Sequence, residues 1–218
     1  FSKVMSDKKH WVLDYVDIKK GNYFELGPGF CNLYKRFHEM GWKCQGVELR
    51  SFIKAPGIKK DINKISNNHS NVAVALDVLE HVSDPIKYLK NINKKLKKGG
   101  KIFLTFPHSE SYKSKILKDR WLMVSPLSHL HYFSMQSTKI MLRKSGFKIF
   151  LIKDFSLIQP RRLIRNFLKL PLLFLKDIFG FNFKKIFLRI EETMVNFLDL
   201  LKGDQLKVIA IKSNRLKN

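Results

Sequence analysis

The stretch YFELGPGFCNLYKRF, Tyr23–Phe37, decides how the rest of the chain is interpreted. It begins as a strand, breaks at Gly-Pro-Gly, and continues with the apolar spacing of a helix. This order places backbone N–H groups and a helix N-terminus beside whatever binds at the carboxyl end of the strand. Glycine at 27 permits the tight turn, and glycine at 29 lets a ligand touch the backbone. The stretch therefore predicts a small-molecule site.

Two common phosphate-binding motifs do not fit this turn. A dinucleotide fingerprint needs a third glycine at position 32, where the chain has Asn32. A P-loop needs Gly-Lys followed by Ser or Thr after four spacer residues, and the turn lacks that sequence. The ligand is therefore expected to be neither a dinucleotide nor a nucleoside triphosphate.

Strands and helices alternate along most of the chain, which indicates an α/β fold with a parallel sheet and helices on both faces. The segment 205–212, QLKVIAIK, alternates between polar and apolar residues and would return to the sheet as its last strand. An amphipathic helix is predicted over 4–19. Further strands are predicted over 22–26, 43–47, 72–76, 101–106 and 147–152, and helices over 30–40, 85–96 and 135–144.

The segment 158–202 differs from the alternating core, which we assign to 1–157 and 203–218. It is rich in Phe and Leu, and between Arg161 and Ile190 it carries eight basic residues against one acid, Asp177. We interpret it as a basic, amphipathic helical insertion before the last strand. Two roles are open: a lid packed on the core, or an anchor whose basic side lies on an anionic membrane surface.

The net charge of +24 does not by itself indicate a nucleic-acid partner. Lysine supplies 33 of the 42 basic residues, and the lysines are spread through nearly every segment. Compositional bias, an anionic membrane surface and an anionic substrate all remain open as explanations. A nucleic-acid partner is the less favoured interpretation.

Cysteine usage and hydropathy indicate the compartment. Cys31 and Cys44 have neither CxxC spacing nor enough companions for a disulfide framework, so we expect a reducing cytosol. No signal-like region and no apolar run of roughly 18 residues is found. We expect a cytoplasmic protein, soluble or peripheral on the inner face of the membrane. The chain begins at Phe1 rather than Met, so we expect further residues before it.

Glu48 ends the second predicted strand. A carboxylate at that position can accept hydrogen bonds from both hydroxyls of a ribose. Alone, it could equally be a solvated carboxylate. Together with the glycine turn, it favours a nucleoside ligand.

The sequence resembles the class I S-adenosylmethionine-dependent methyltransferases from about Tyr23 to Ile149. Four segments carry the resemblance: FELGPGF (24–30), GVEL (46–49), ALDVLEHVSDP (75–85) and GGKIFLTFP (99–107). QLKVIAIK matches the last, antiparallel strand of that family. The resemblance implies a Rossmann-like, doubly wound, seven-stranded sheet that is otherwise parallel. Residues 126–149 are similar to the subgroup that methylates small molecules, quinone precursors and sugars.

The resemblance implies S-adenosyl-L-methionine as the cofactor and assigns residues to its parts. Glu25, Gly27 and Gly29 would surround the methionine part, and Glu48 would hold the ribose. The remaining cofactor residues are Asp61 facing the adenine amino group, Ile62 against the ring, Leu76 and Asp77 on the inner side, and Pro28, Phe30 and Leu49 beside the turn and the ribose. Cys31 and Asn71 depart from the family pattern, which often has a glycine and an acid there.

A sulfonium methyl is already activated, so the protein mainly has to hold a nucleophile in line, roughly 3 Å away. A hydroxyl acceptor also needs a base, and His81 is the candidate. Alternatively, the LEH segment only shapes the site. His129 and His131, with Trp121 as a wall, would contact the acceptor, a structural role being the alternative. A metal at the two histidines is a weaker interpretation, and we expect none.

The sequence therefore predicts a methyltransferase of EC class 2.1.1 that methylates oxygen in a small-molecule, sugar, glycan or lipid-linked acceptor. One alternative is methylation of nucleic acid, against which no NPPY-like motif follows the fourth strand. Another is a non-catalytic, membrane-associated partner subunit that binds the cofactor.

Overall fold

The computed structural model describes residues 11–49, 55–156 and 183–213. Its strands are β1 Asn22–Leu26, β2 Lys43–Val47, β3 Ile58–Lys59, β4 Ser70–Leu76, β5 Leu96–Pro107, β6 Phe147–Phe155 and β7 Gln205–Lys212. They form one seven-stranded sheet in the order β3-β2-β1-β4-β5-β7-β6. β1 to β5 pair in parallel, whereas β7 runs antiparallel to both β5 and β6. The predicted Rossmann-like sheet with an antiparallel last strand is confirmed.

Helices connect these strands. They are α1 Asn32–Glu39, α2 Pro85–Lys95, α3 Tyr112–Leu117, α4 Met135–Lys144 and α5 Phe183–Leu201, with short 3-10 helices at Leu13–Tyr15, Ile62–Lys64, Leu79–His81 and Lys118–Arg120. The carboxylate of Asp84 caps α2 by accepting a hydrogen bond from the Lys87 N–H at 2.9 Å. Pro85 occupies its first turn, where the missing N–H costs nothing. The start of α2 is therefore fixed by local sequence.

The core lies on both faces of the sheet because successive strand residues point to opposite sides. Along β1, Phe24 and Leu26 pack into one buried cluster with Ile102 and Leu104. Tyr23 packs into the other cluster, where its ring stacks on Phe37 of α1 at a centroid distance of 4.1 Å. This two-sided burial explains the fully apolar run VAVAL in β4.

Strand order changes direction at β1, which lies between β2 and β4. The register aligns Leu26 with Val47 of β2 and with Ala75 of β4, so the three strands end close to one level. Loops that leave such a switch point diverge to opposite faces and open a crevice at the carboxyl edge. The sheet topology thus positions the candidate site.

The helix predicted over 4–19 is wrong where the structure describes the chain, from Trp11 onward. Only Leu13–Tyr15 forms one 3-10 turn, and Val16 is already extended. Trp11 and Val12 are buried, with the Trp11 ring 5.7 Å from that of Phe103. Packing of these side chains against the sheet outweighs the weak helical preference of a segment with several β-branched residues.

The insertion predicted over 158–202 lies between β6 and β7, and its described part begins at 183. There α5 forms a single helix that packs beside α3. The carboxylates of Asp199 and Asp204 lie 3.0 and 3.5 Å from the Lys113 ammonium of α3. The more basic part, 161–182, lies outside the described residues. Within the described ranges, no helix combines the length and apolar character needed to cross a bilayer.

Candidate active site at the carboxyl edge of the sheet

A cavity of about 580 Å³ opens where β1, β2 and β4 end. Its walls come from the loops that follow these strands, from the short helix at Ile62–Lys64 and from α2. Such a crevice at a switch point is the usual ligand site of open α/β sheets. The residues that line it are Gly27, Val47, Glu48, Leu49, Lys60, Asp61, Ile62, Asp77, Val78, His81, Val82 and Tyr88.

The turn after β1 has left-handed backbone at Gly27, Gly29 and Cys31, with φ of 58°, 55° and 59°. The Gly27 N–H donates to the Val47 carbonyl at 2.9 Å, which ties the turn to the end of β2. A Cβ at position 27 would lie 2.9 Å from Cγ2 of Val78. Glycine is therefore needed at 27 for both conformation and space, as the sequence predicted.

Glu48 lies directly after β2 and is 5% exposed. One of its carboxylate oxygens accepts a hydrogen bond from the Gly29 N–H at 3.2 Å. Its own N–H donates to the Lys59 carbonyl at 3.0 Å. The two motifs that sequence analysis linked, the glycine turn and the acid after β2, are thus in direct contact at the cavity wall.

A second wall follows β3. The Asp61 carboxylate accepts from the Asn63 N–H at 2.9 Å and so caps the short helix that presents Ile62. The ammonium of Lys60 donates to the Leu49 carbonyl at 3.2 Å, bringing the β2 and β3 loops together. An acid and an apolar side chain consequently face the same space.

Asp77 follows β4 and has left-handed backbone, with φ of 55°. Its N–H donates to the Thr105 carbonyl, and its carboxylate accepts from the Thr105 hydroxyl, both at 2.9 Å. Tyr88 of α2 also lines the cavity. Burial raises the pKa of Tyr88 to about 12, so its phenol stays neutral. The hydrogen bond from the Thr105 hydroxyl fixes the Asp77 carboxylate beside the cavity.

The structure places five residues of the predicted cofactor set outside this lining. Glu25 is buried and accepts a hydrogen bond from the Tyr23 hydroxyl at 2.8 Å. Burial and the Glu25 charge raise the pKa of Tyr23 well above its ordinary value, so the phenol remains a donor. Phe30 is largely exposed on the outside of the turn. The other three are Pro28, Gly29 and Leu76.

His81 lines the cavity from the short helix Leu79–His81. Its Nδ1 lies 2.6 Å from the Ser128 carbonyl oxygen. A carbonyl only accepts hydrogen bonds, so Nδ1 carries the proton and the lone pair of the neutral ring is on Nε2. The ring is thereby held in the tautomer that a base would need.

The loop 128–131 docks against this short helix. The N–H groups of Leu130 and His131 donate to the Glu80 carbonyl at 2.7 and 3.2 Å. The His129 ring then lies edge-on to His81, with centroids 4.8 Å apart. Glu80, His81 and His129 form a group in which one potential ligand atom of each lies within 4.8 Å of the others. The sequence pattern groups His129 with His131 and gives no sign of this cluster.

All three predicted acceptor residues, His129 included, lie outside the described cavity lining. His131 places Nε2 3.3 Å from the Ser83 carbonyl oxygen and stacks on Phe133 at 6.0 Å. Trp121 is buried after the short helix Lys118–Arg120. His129 and His131 therefore turn to different partners rather than sharing one face.

Several lining residues were missed from the sequence. Lys60 adjoins a predicted site residue, and Val78 follows another, so proximity in sequence was an available signal. Tyr88 carried no such signal, because it reaches the cavity from the second turn of α2. The remaining missed residues are Val47 and Val82.

Comparison with known proteins gives one family match. A family model described as a methyltransferase domain matches residues 2–151. No curated protein sequence matches the chain significantly.

Solved structures share the fold at low sequence identity. One is the Haemonchus contortus phosphoethanolamine N-methyltransferase 2 in complex with S-adenosyl-L-methionine, at 16% identity and a TM-score of 0.60. The match covers 95% of this chain but 53% of that one, so the chain spans about half its length. A SAM-dependent methyltransferase from Archaeoglobus fulgidus matches at 14% identity and a TM-score of 0.64, over 96% of this chain and 94% of the other.

A third match is an S-adenosylmethionine-dependent methyltransferase from Mesorhizobium loti, at 16% identity and a TM-score of 0.61. It covers 95% of this chain and 97% of that one. At these identities the matches establish the fold. They are in keeping with the cofactor predicted from the sequence.

Proposed function

The chain belongs to the methyltransferase-domain family, and we propose that it transfers a methyl group from S-adenosyl-L-methionine to oxygen of a small-molecule, sugar, glycan or lipid-linked acceptor. The observation that carries the proposal is the contact between the glycine turn and Glu48 at the wall of the cavity. In doubly wound folds that bind nucleotides, a glycine turn and an acid after the second strand hold one ligand together.

The cavity residues fit the cofactor chemically. Glu48 would accept hydrogen bonds from the ribose, while Asp61 and Ile62 would hold the adenine. The left-handed turn at Gly27 and Gly29 leaves room for the methionine part. When bound, the cofactor supplies a methyl group activated by a sulfonium charge. The carboxylate of Asp77, fixed by Thr105, provides negative charge on the inner side.

His81 is the proposed base for the acceptor hydroxyl. Its Nδ1–H donates to Ser128, so the Nε2 lone pair is available for the proton that the acceptor oxygen loses. If this role holds, a His81→Ala variant keeps cofactor affinity and loses turnover by about 100-fold or more. Full turnover with unchanged cofactor affinity would exclude His81 as the base.

The acceptor class is supported by residues 126–149, which resemble the subgroup acting on small molecules, quinone precursors and sugars. The loop 128–131 from this segment packs on Glu80 and His81 beside the cavity. Acceptor specificity would therefore depend on this loop, including His129. His129, His131 and Trp121 all lie outside the cavity lining, so they would act on the acceptor through the position of this loop.

Membrane association is part of the proposal. On α5, Phe187 and Phe197 are 70% and 57% exposed, and Ile190 and Met194 lie on the same side. Such an apolar side, following the basic segment 161–182, fits the surface of an anionic membrane.

Liposome flotation with and without anionic lipid tests this association. A Phe187→Ser/Phe197→Ser variant should lose most of its binding to anionic vesicles. Phe150→Ser is the matched control, since Phe150 is 58% exposed on β6. Equal flotation of both variants would count against an anchor at α5.

Calorimetry with S-adenosyl-L-methionine tests the proposed function itself. We expect binding with a dissociation constant in the micromolar range. Absence of binding at cofactor concentrations well above that range would rule out the proposed methyltransferase activity. Incubating cell-extract fractions with methyl-labelled cofactor then identifies the product. Label in a small molecule or lipid supports the proposed acceptor class, whereas label in RNA or DNA contradicts it. Cofactor binding without transfer to any fraction would indicate a non-catalytic partner subunit.

A further inference from the structure

We propose that Glu80, His81 and His129 form a binding site for a divalent transition-metal ion, of which Zn²⁺ is the best fit. The inference concerns ion binding by these three side chains and does not depend on the identity of the methyl donor. The sequence predicted no metal, because only the pair His129 and His131 was available as a candidate ligand set.

Two separate parts of the chain build the cluster. Glu80 and His81 lie on the short helix after β4, and His129 comes from the loop before α4. Hydrogen bonds from Leu130 and His131 to the Glu80 carbonyl fix the loop against that helix. The positions of the three side chains are therefore set by backbone contacts.

Both imidazoles are in the tautomer that binds metals. Nδ1 of His81 donates to the Ser128 carbonyl at 2.6 Å, and Nδ1 of His129 donates to the Met123 carbonyl at 2.7 Å. Each ring therefore keeps its lone pair on Nε2. Histidine ligands of metals are typically oriented in this way, by donating the other ring N–H to a carbonyl or carboxylate. Both His81 and His129 show this arrangement. It is a second observation in favour of a metal site, independent of the distance between the two rings.

The ligand set favours zinc among common ions. Two neutral imidazoles and one carboxylate suit Zn²⁺, whereas Mg²⁺ and Ca²⁺ prefer oxygen ligands throughout. Ligand atoms around a tetrahedral zinc are roughly 3.4 Å apart, given bond lengths of about 2.1 Å. The ligand atoms lie within 4.8 Å of one another, so they must approach each other by at most about 1.4 Å, which the exposed His81 and the half-buried His129 allow.

Three protein ligands leave one coordination position for water or a substrate oxygen, as in catalytic zinc sites. His81 also lines the cavity, so this position would lie on the acceptor side. If the proposed function holds, the ion would bind the acceptor oxygen and lower the pKa of its hydroxyl, whose proton would pass to solvent water before the oxygen takes the methyl group. With the ion bound, Nε2 of His81 would be a ligand, so the base role proposed above for His81 would apply only to the metal-free protein.

Metal binding is measured on chelator-treated protein without an affinity tag, by Zn²⁺ competition with a chromophoric chelator. We expect one equivalent to bind to the wild type. Loss of a direct ligand should weaken metal binding by more than 10–100-fold, the range typical for loss of a residue that only orients a ligand. His81→Ala and His129→Ala should therefore each weaken binding by at least about 100-fold. His38→Ala, an exposed histidine on α1, should leave the affinity unchanged.

The visible spectrum of bound Co²⁺ provides a second measurement, since an intense band indicates a four-coordinate site. Loss of this band in His81→Ala, with an unchanged thermal unfolding curve, supports the role of His81 as a ligand. This test does not require a variant of the buried Glu80, which could prevent folding. No binding by the wild type overturns the proposal, as does equal affinity of the three histidine variants.

The same preparations separate this proposal from the methyltransferase. Calorimetry with S-adenosyl-L-methionine on metal-free protein reports the cofactor site alone. Cofactor binding without a zinc site refutes only the metal proposal. A zinc site without cofactor binding refutes only the proposed function.

Discussion

Two groups of carboxylates in this molecule have different surroundings. Glu48, Asp61 and Asp77 face an open cavity, and each accepts a hydrogen bond from a neutral backbone N–H or hydroxyl group. Asp199 and Asp204 are buried beside α3 and share the ammonium of Lys113. The first group lines the cavity, whereas the second shares one cation that links α3 to the end of α5 and to the residue before β7. We expect the first region to govern ligand binding and the second to govern stability.

The largest expected effect is on stability, in the second region. Lys113→Met leaves two buried carboxylates without their shared cation, which should lower the free energy of unfolding by about 3–5 kcal/mol. Lys115→Met is the control, since Lys115 is exposed on the same helix. Urea denaturation measures both. A loss below about 1 kcal/mol for Lys113→Met would remove the contrast between the two regions.

The next effect is on binding, in the first region. Glu48→Ala removes the acceptor of the ribose hydroxyls and should weaken S-adenosyl-L-methionine binding by about 30-fold, or about 2 kcal/mol. Glu39→Ala, an exposed acid on α1, should leave binding unchanged. Calorimetry decides, and an unchanged affinity in Glu48→Ala would show that this carboxylate does not hold the ribose.

Gly27→Ala tests the turn whose Gly29 N–H donates to Glu48 at the cavity wall. Left-handed backbone costs a non-glycine residue about 1–2 kcal/mol, and the new Cβ would also press on Val78. Gly99→Ala is a matched control, because Gly99 has a φ of 73° and nothing within 4 Å of an added Cβ. Gly27→Ala should be the more destabilising in thermal unfolding and should also weaken cofactor binding. Equal destabilisation by the two substitutions would mean that the Val78 side chain moves aside at no cost in free energy.

The pH dependence of stability gives the smallest expected effect. Burial, followed by the Asp204 charge, raises the pKa of Asp199 above 3.8, although Ser156 and Lys113 oppose the shift. A raised pKa means that the folded state holds the proton more tightly than the unfolded state. This contribution to stability is present below pH 3.8 and is lost as pH rises through the raised pKa.

Asp199→Asn has no such titration. The stability of the wild type relative to this variant should therefore fall as pH increases from 3.8 and then level off. Denaturation curves at several pH values measure the difference. A constant difference across this range would contradict the raised pKa.

Local patterns were sufficient to predict most of the sheet. β1, β2 and β7 begin and end where the sequence places them, because apolar residues and turn residues bound each strand closely. The acid Glu48 and the turn at Gly27 were found for the same reason, as each follows a strand directly. The two-residue strand β3 and the six-residue helix α3 are too short to leave a periodic signal.

Long-range contacts account for what the sequence did not reveal. The segment 11–19 has helical spacing, yet Trp11 and Val12 are buried against the sheet instead. His129 meets His81 because backbone groups of the loop bond to Glu80, a contact that no local pattern encodes. The ion pair between Lys113 of α3 and Asp199 of α5 is another contact between residues far apart in sequence.

A crystal structure with S-adenosyl-L-methionine bound would test the central claim most directly. We predict the ligand in the cavity at the carboxyl ends of β1, β2 and β4, with both ribose hydroxyls on the Glu48 carboxylate and the methionine part beside Gly27. A ligand bound elsewhere, or a ribose without contact to Glu48, would contradict the account.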